Sequence, residues 1–330
     1  MGQDACPPGW TTGKAGAQNG GTMPILFFLL LASFSLSASP QTVPAPPPII
    51  GRWDITIQRP DGNRSAWLEV RHSGVQTLVG QFVGLSGSAR PISQIDFTGG
   101  ELRFAIPPQW ERVDGNLVVT GRLEGDRLAG SMTLAGGAPM AWTAVRAPSL
   151  RRQTAPRWGR PAPLFNGRDL TGWHVSGANE WEAANGILRN KQSGGNLVTD
   201  QLFTDFKLHA EFRYPAGGNS GVYLRGRYEV QIADTPEDEP WVGGLGAVYG
   251  FLAPSEIAAK KPGEWQAFDI TLAGRMVTVI LNGKTIICNR EIPGITGAAL
   301  DSNEGTPGPL LLQGDHGPIE FRNLTLAKGT

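Results

Sequence analysis

Residues 211–234 read EFRYPAGGNSGVYLRGRYEVQIAD, and three short apolar strands can be read within them: Glu211 to Arg213, Asn219 to Arg225 and Tyr228 to Asp234. Side chains alternate faces along a strand. Phe212, Val222, Leu224, Val230 and Ile232 are therefore expected to point into a core, and Glu211, Arg213, Tyr223, Arg225, Glu229 and Gln231 to point the other way. A merely solvated sheet face usually carries Lys, Thr and Ser. This one carries carboxylates, guanidiniums, an amide and phenols, a mixture suited to the hydroxyls and carbonyls of a sugar. The stretch predicts a carbohydrate site on one face of a β-sandwich.

The rest of the chain agrees with an all-β reading. Its 330 residues include 45 Gly and 26 Pro, with only 18% charged residues and no long helix-period stretch. Lys and Arg (29) balance Asp and Glu (29), so no basic field exists to attract nucleic acid.

Residues 1–48 read as a leader and tether. The run MPILFFLLLASFSLSA at 23–38 resembles the apolar part of a secretory signal, and PQTVPAPPP at 40–48 is an extended, proline-rich connector. A periplasmic or secreted location by bacterial-type export is expected, with no stable membrane span once the leader is removed. Cys288 is then the remaining cysteine and reads as a small core hydrophobe.

Residues 49–146 hold about eight short strands separated by Gly-containing turns such as Asp61-Gly62 and Asp114-Gly115. They predict a small antiparallel β-barrel. Gly51-Arg-Trp53 at its start resembles the opening of lipocalin-like barrels, and the module is expected to be accessory. Residues 147–163 are a basic, proline-containing linker. Residues 164–328 carry about ten further strands, with Asn282-Gly283 as a two-residue hairpin turn, and predict a two-sheet jelly roll.

Stretches spread through this second region resemble the 3-keto-disaccharide hydrolase domain family. They include LFNGRDLTGW at 164–173, GNSGVYLRG at 218–226, YEVQI at 228–232, GAVYG at 246–250, PGEW at 262–265, GPLLLQ at 308–313 and DHG at 315–317. The resemblance implies a concanavalin-like β-sandwich and an exported enzyme that cleaves glycosides already oxidised at C3, with a 3-keto glucoside as substrate. Two departures stand out. Gly314 separates Gln313 from Asp315, and the segment between Asp234 and Gly246 is acidic, with Glu237, Asp238, Glu239 and Trp241.

Cleavage beside a C3 ketone needs a base near C2, an electrophile near the keto oxygen and an acid for the leaving oxygen. Glu229 and Glu211 are candidate bases, and His316 is the candidate proton shuttle because its ordinary pKa is nearest neutrality. Arg213, Asn219, Tyr223, Arg225, Gln231, Tyr249 and Gln313 are candidate sugar contacts. Glu211 paired across strands with Arg213 or Arg225, and Asp234 capping a turn, are the structural alternatives. Glu211, Glu229 and Asp234 could also hold a calcium- or magnesium-like divalent cation. Two other functions stay open at this point: an ordinary two-carboxylate glycosidase, and a non-catalytic, lectin-like carbohydrate-binding protein.

Overall fold

A computed structural model describes residues 46–109, 111–234 and 238–330. The apolar run at 23–38 lies outside the described residues. Every regular element among them is a β-strand, and no described helix is long and apolar enough to cross a membrane.

The first eight strands are β1 (Gly51–Ile57), β2 (Arg64–Ser73), β3 (Thr77–Val83), β4 (Arg90–Thr98), β5 (Glu101–Ile106), β6 (Leu117–Glu124), β7 (Arg127–Thr133) and β8 (Met140–Arg146). Each pairs antiparallel with the next, and β1 pairs with β8 in the register Trp53↔Arg146, so the sheet closes into a barrel. Alternate residues fill it: Trp53, Ile55, Phe82, Phe104, Val119 and Trp142 are buried in one cluster. Gly121 makes room for the Trp142 ring, because a Cβ there would stand 2.7 Å from it.

The sandwich follows. One sheet has the order β10 (Trp173–Ser176), β13 (Asn196–Phe203), β20 (Gly308–Leu312), β15 (Asn219–Leu224) and β16 (Tyr228–Ala233). The other runs β11 (Trp181–Ala184), β12 (Ile187–Asn190), β21 (Ile319–Lys328), β14 (Phe206–Arg213), β17 (Gln266–Ala273), β18 (Met276–Leu281) and β19 (Lys284–Glu291), with β9 (Ala162–Pro163) paired to β21. Asn282 and Gly283 both have positive φ (52° and 81°) and form the tight turn expected between β18 and β19. Phe212, Val222, Leu224, Val230, Ile232, Phe268, Leu312 and Phe321 interleave from both sheets in one core. Cys288 is buried on β19, as expected of a small core residue.

Barrel and sandwich meet over a mixed surface. Trp67 and Val83 point out of the barrel into the sandwich core, and Trp67 meets Phe251 edge-on at 5.3 Å. Asp54 on β1, only 3% exposed, lies close enough to the fully buried Glu304 for the two carboxyls to interact. Burial, and then the Glu304 charge, hold Asp54 well above the usual carboxylate range, against Arg275 and Arg227.

Candidate functional site

Alternation on β15 and β16 divides their side chains as the sequence indicates. Val222, Leu224, Val230 and Ile232 enter the core, while Tyr223 packs with Val198 and Leu311 on the outer face of the five-stranded sheet. The register Tyr223↔Glu229, Gly221↔Gln231 places Glu229 and Gln231 on that face too, with Asn219 one pair further along opposite Ala233. The backbone N–H of Gln313 donates to Gly221 O at 2.9 Å, so Gln313, Gly221 and Gln231 form a row across neighbouring strands. Gly221 is the gap in that row. A Cβ there would stand 2.6 Å from Glu229 Oε1, so the absent side chain is what admits the carboxyl.

This face is enclosed rather than solvated. Glu229 is 4% exposed, and Gln231 and Gln313 are each 6% exposed. Segment 246–249 runs beside β16: Gly246 N–H donates to Gln231 O, Gln231 N–H to Ala247 O, and Tyr249 N–H to Glu229 O at 3.0 Å. Tyr249 is thereby held next to Glu229, and burial together with the Glu229 charge pushes its phenol up. Burial pushes Glu229 up to about 8, against the Tyr223 hydrogen bond and the His316 charge, with Asp315 adding to the rise.

The Tyr223 hydroxyl lies 3.0 Å from Glu229 Oε2 and 3.1 Å from Gly297 O. One hydroxyl has one proton, so its direction depends on the state of Glu229. A protonated Glu229 can donate to Tyr223 and leave the phenolic proton on Gly297 O. An ionised Glu229 draws that proton to itself. The side-chain oxygens of Gln231 and Gln313 have no hydrogen-bond partner among the described residues. Buried acceptors without donors are costly, and two on one face make a ready receptor for hydroxyl groups.

His316 follows β20 on a loop fixed by Asn190, whose Nδ2 lies 2.7 Å from Gly314 O and 2.8 Å from Gly317 O. His316 Nδ1 is 2.7 Å from Asp315 Oδ1. That bond, and then the charges of Asp315 and Glu229, raise the imidazole against the opposing effect of burial. The extra Gly314 is sterically required here, since a Cβ would stand 2.4 Å from Gly195 O and 2.8 Å from Trp181 Nε1.

Tyr223, Glu229, Gln231, Tyr249, Gln313 and His316 are thus brought together, with Asn219 on the same face. Four expected members are not. Glu211 and Arg213 lie on β14 in the other sheet, and with Phe212 in the core they point from the opposite side of the sandwich. There Arg322 and Asn323 bond Glu211 at 2.6 and 2.7 Å, while Arg213 Nε donates to Glu320 at 2.6 Å. Burial pushes Glu211 up, but Asn323 and Arg322 outweigh it and hold it below its ordinary value. Arg213 and Arg322 also stack on Trp265. Convergence of Glu211 with Glu229 is therefore corrected.

Arg225 departs for a different reason. It sits in the β15–β16 turn with φ 53°, which ends the alternation. Its guanidinium is buried against Tyr228 Oη (2.8 Å), Glu304 O (3.2 Å) and Gly274 O (3.3 Å). Asp234 caps the approach to β15 by accepting from Gly217 N–H at 2.7 Å. It borders a cavity of about 110 Å³ that includes Tyr214, Trp241 and Lys260. Glu211, Glu229 and Asp234 do not converge, and no group of three His, Cys, Asp or Glu among the described residues could hold a metal ion.

Sequence reasoning missed segment 292–299. Thr296 Oγ1 accepts from Glu229 N–H at 3.0 Å, and Gly297 O faces the Tyr223 hydroxyl. Asn190 was missed as well. Its place as the last residue of β12 gives no local signal of the loop it clamps.

Residues 160–327 match the 3-keto-alpha-glucoside-1,2-lyase-like domain. The chain belongs to that family. The match to this lyase-like family covers the sandwich and leaves the barrel outside. Similar solved structures include a candidate glycosyl hydrolase of Parabacteroides distasonis ATCC 8503, 28% identical over 53% of this chain and 92% of that one, with a TM-score of 0.42. A second from the same organism is 22% identical over 50% and 92%, with a TM-score of 0.43. A Bacillus subtilis carbohydrate-binding module, CBM66, is 12% identical over 49% and 96%, with a TM-score of 0.34. No curated protein matches the sequence.

Proposed function

We propose that this carbohydrate-active protein is an exported enzyme that cleaves 3-keto glucosides by elimination at C1–C2 followed by addition of water. The observation that carries the reading is the enclosed Glu229 carboxyl, flanked by Tyr223, Tyr249 and His316, on a face with two unfilled amide acceptors. A base whose pKa lies near the working pH combines a useful ionised fraction with strong proton affinity.

In this reading Glu229 takes the proton from C2. The electron pair of that C–H bond passes to the C3 oxygen as an enolate, which Tyr223 or Tyr249 stabilises by donating its hydroxyl hydrogen. Collapse of the enolate restores the ketone, forms the C1–C2 double bond and breaks the bond from C1 to the aglycone oxygen. Protonated His316 supplies a proton to that oxygen, releasing an alcohol or phenol. Water then adds across the double bond, its oxygen to C1 and a proton to C2, so the sum is hydrolysis. Gln231 and Gln313 accept hydrogen bonds from ring hydroxyls. The 1,2-lyase-like character of the family supports the first half of this sequence. The apolar run at 23–38 supports export to the periplasm or medium.

Turnover of a 3-keto glucoside in deuterated water tests the reading. Elimination and hydration leave deuterium at C2 of the released 3-keto glucose, in excess of that found in unreacted substrate. Direct displacement at C1 leaves hydrogen there and would overturn it.

A further inference from the structure

The family match begins at residue 160, so it assigns the barrel no role. The contacts of segment 292–299 assign one. On its sandwich side, Thr296 Oγ1 receives the Glu229 N–H, Thr296 N–H donates to Arg227 O at 2.9 Å, and Gly297 O faces Tyr223 Oη. On its other side the same segment rests on the barrel. Ser65 Oγ, on β2, donates to Ala299 O at 2.6 Å in a buried bond. A Cβ on Gly294 would stand 2.1 Å from Trp67 Nε1, and one on Gly297 would stand 2.3 Å from Gly87 O. Neither contact leaves room for a side chain.

The β3–β4 loop reaches the second flank of Glu229 as well. Gly250 follows Tyr249 directly, and a Cβ on it would stand 2.7 Å from Ala89 N and 2.9 Å from Ser88 Cα. The barrel loop at 86–89 is therefore wedged against both Gly250 and Gly297, one on each of the two segments that flank Glu229.

We infer that the barrel is a positioning element of the active site: Ser65, Trp67 and Gly87 hold segment 292–299, and the 86–89 loop holds Tyr249–Gly250, so that Glu229 stays enclosed and Tyr223 stays aimed. None of these barrel residues is assigned contact with substrate. They act through Thr296, Gly297 and Tyr249. The kinetic part of this inference rests on the proposed role of Glu229 as base, whereas the structural part does not.

The test compares Ser65→Ala, Ser65→Thr and Trp67→Phe in the full chain. The titration of Glu229 is followed by carbon NMR of protein labelled at its Glu carboxyls, with Glu229→Gln identifying the signal. In Ser65→Ala the segment loosens and water reaches the carboxyl, so Glu229 should titrate lower by about half a pH unit or more. On a 3-keto glucoside kcat should fall about 10-fold with KM changed less than about twofold, as misplacement of a catalytic group predicts. Ser65→Thr, which keeps the hydroxyl, should restore both, and Trp67→Phe should move both in the same direction as Ser65→Ala. A lower melting temperature with an unchanged Glu229 titration in Ser65→Ala and Trp67→Phe would overturn the inference and leave the barrel a stabiliser only. Should the wild type fail to turn over the keto sugar, the proposed reaction falls, and the titration arm still decides the role of the barrel.

Discussion

Replacing Glu229 with Gln should remove activity and raise stability together, and the stability gain should depend on pH. The folded carboxyl holds its proton up to about 8, whereas its ordinary value is 4.5. Well below pH 4.5 both folded and unfolded chains are protonated, and the group costs nothing. As pH rises toward 8 the unfolded chain releases its proton while the folded chain retains it, so stability is lost across this window. The gap between the two values corresponds to on the order of 4 to 5 kcal/mol at its alkaline end and under about 1 kcal/mol at pH 5. Glutamine keeps the shape and can accept from Tyr223, but its NH₂ lacks an evident acceptor, a cost of about 1 kcal/mol. The variant should therefore melt close to wild type at pH 5 and about 4–8 °C higher at pH 8. Its rate on a 3-keto glucoside should fall on the order of 100- to 10,000-fold. Thermal melts at the two pH values, with single-turnover kinetics, measure both effects. Equal melting shifts at pH 5 and pH 8 would refute the enclosed-carboxyl argument, and a near-normal rate would remove Glu229 from the chemistry.

His316→Asn should slow release of an alkyl alcohol on the order of 100-fold or more, and of a phenol much less, because a good leaving group needs less protonation; parallel kinetics on alkyl and phenyl 3-keto glucosides check this. The pH profile should be a narrow bell, rising as Glu229 ionises near 8 and falling as His316, held above its ordinary value, loses its proton; the rising limb should vanish in the residual rate of Glu229→Gln. Gln231→Ala and Gln313→Ala should each raise KM about 5- to 20-fold, a loss of about 1 to 2 kcal/mol of hydroxyl recognition, with little loss of stability since each removes a buried oxygen that lacks a partner. Glu211→Ala should leave kcat within about twofold and destabilise by about 1 kcal/mol, since Glu211 serves the Arg322–Asn323 network on the far sheet; a large loss of kcat without unfolding would contradict its placement.

What the sequence could reveal follows from the range of each signal. Alternation is local, so Val222, Val230 and Ile232 were readable as core, and Tyr223, Glu229 and Gln231 as sharing one face. The hairpin at Asn282-Gly283 was readable because its positive φ values select those residues. Alternation does not say which sheet a strand joins. β14 and β15 are neighbours in the chain but belong to different sheets, and that alone sends Glu211 and Arg213 away from Glu229. At Arg225 one positive-φ residue ended the period and turned a supposed sugar contact into a buried partner of Tyr228 and Glu304. The support from segment 292–299 was hidden because its partners, Ser65, Trp67 and Gly87, are more than 200 residues away in the chain.

The central claim is that the Glu229 face acts on a sugar already oxidised at C3. The most direct measurement offers this chain one glucosyl disaccharide and its 3-keto form side by side and follows release of the second sugar. The account predicts cleavage of the keto form alone, with the activity lost in Glu229→Gln. Cleavage of the unoxidised disaccharide at a comparable rate would contradict it and make the protein an ordinary glycosidase; tight binding of either sugar without turnover would make it a lectin.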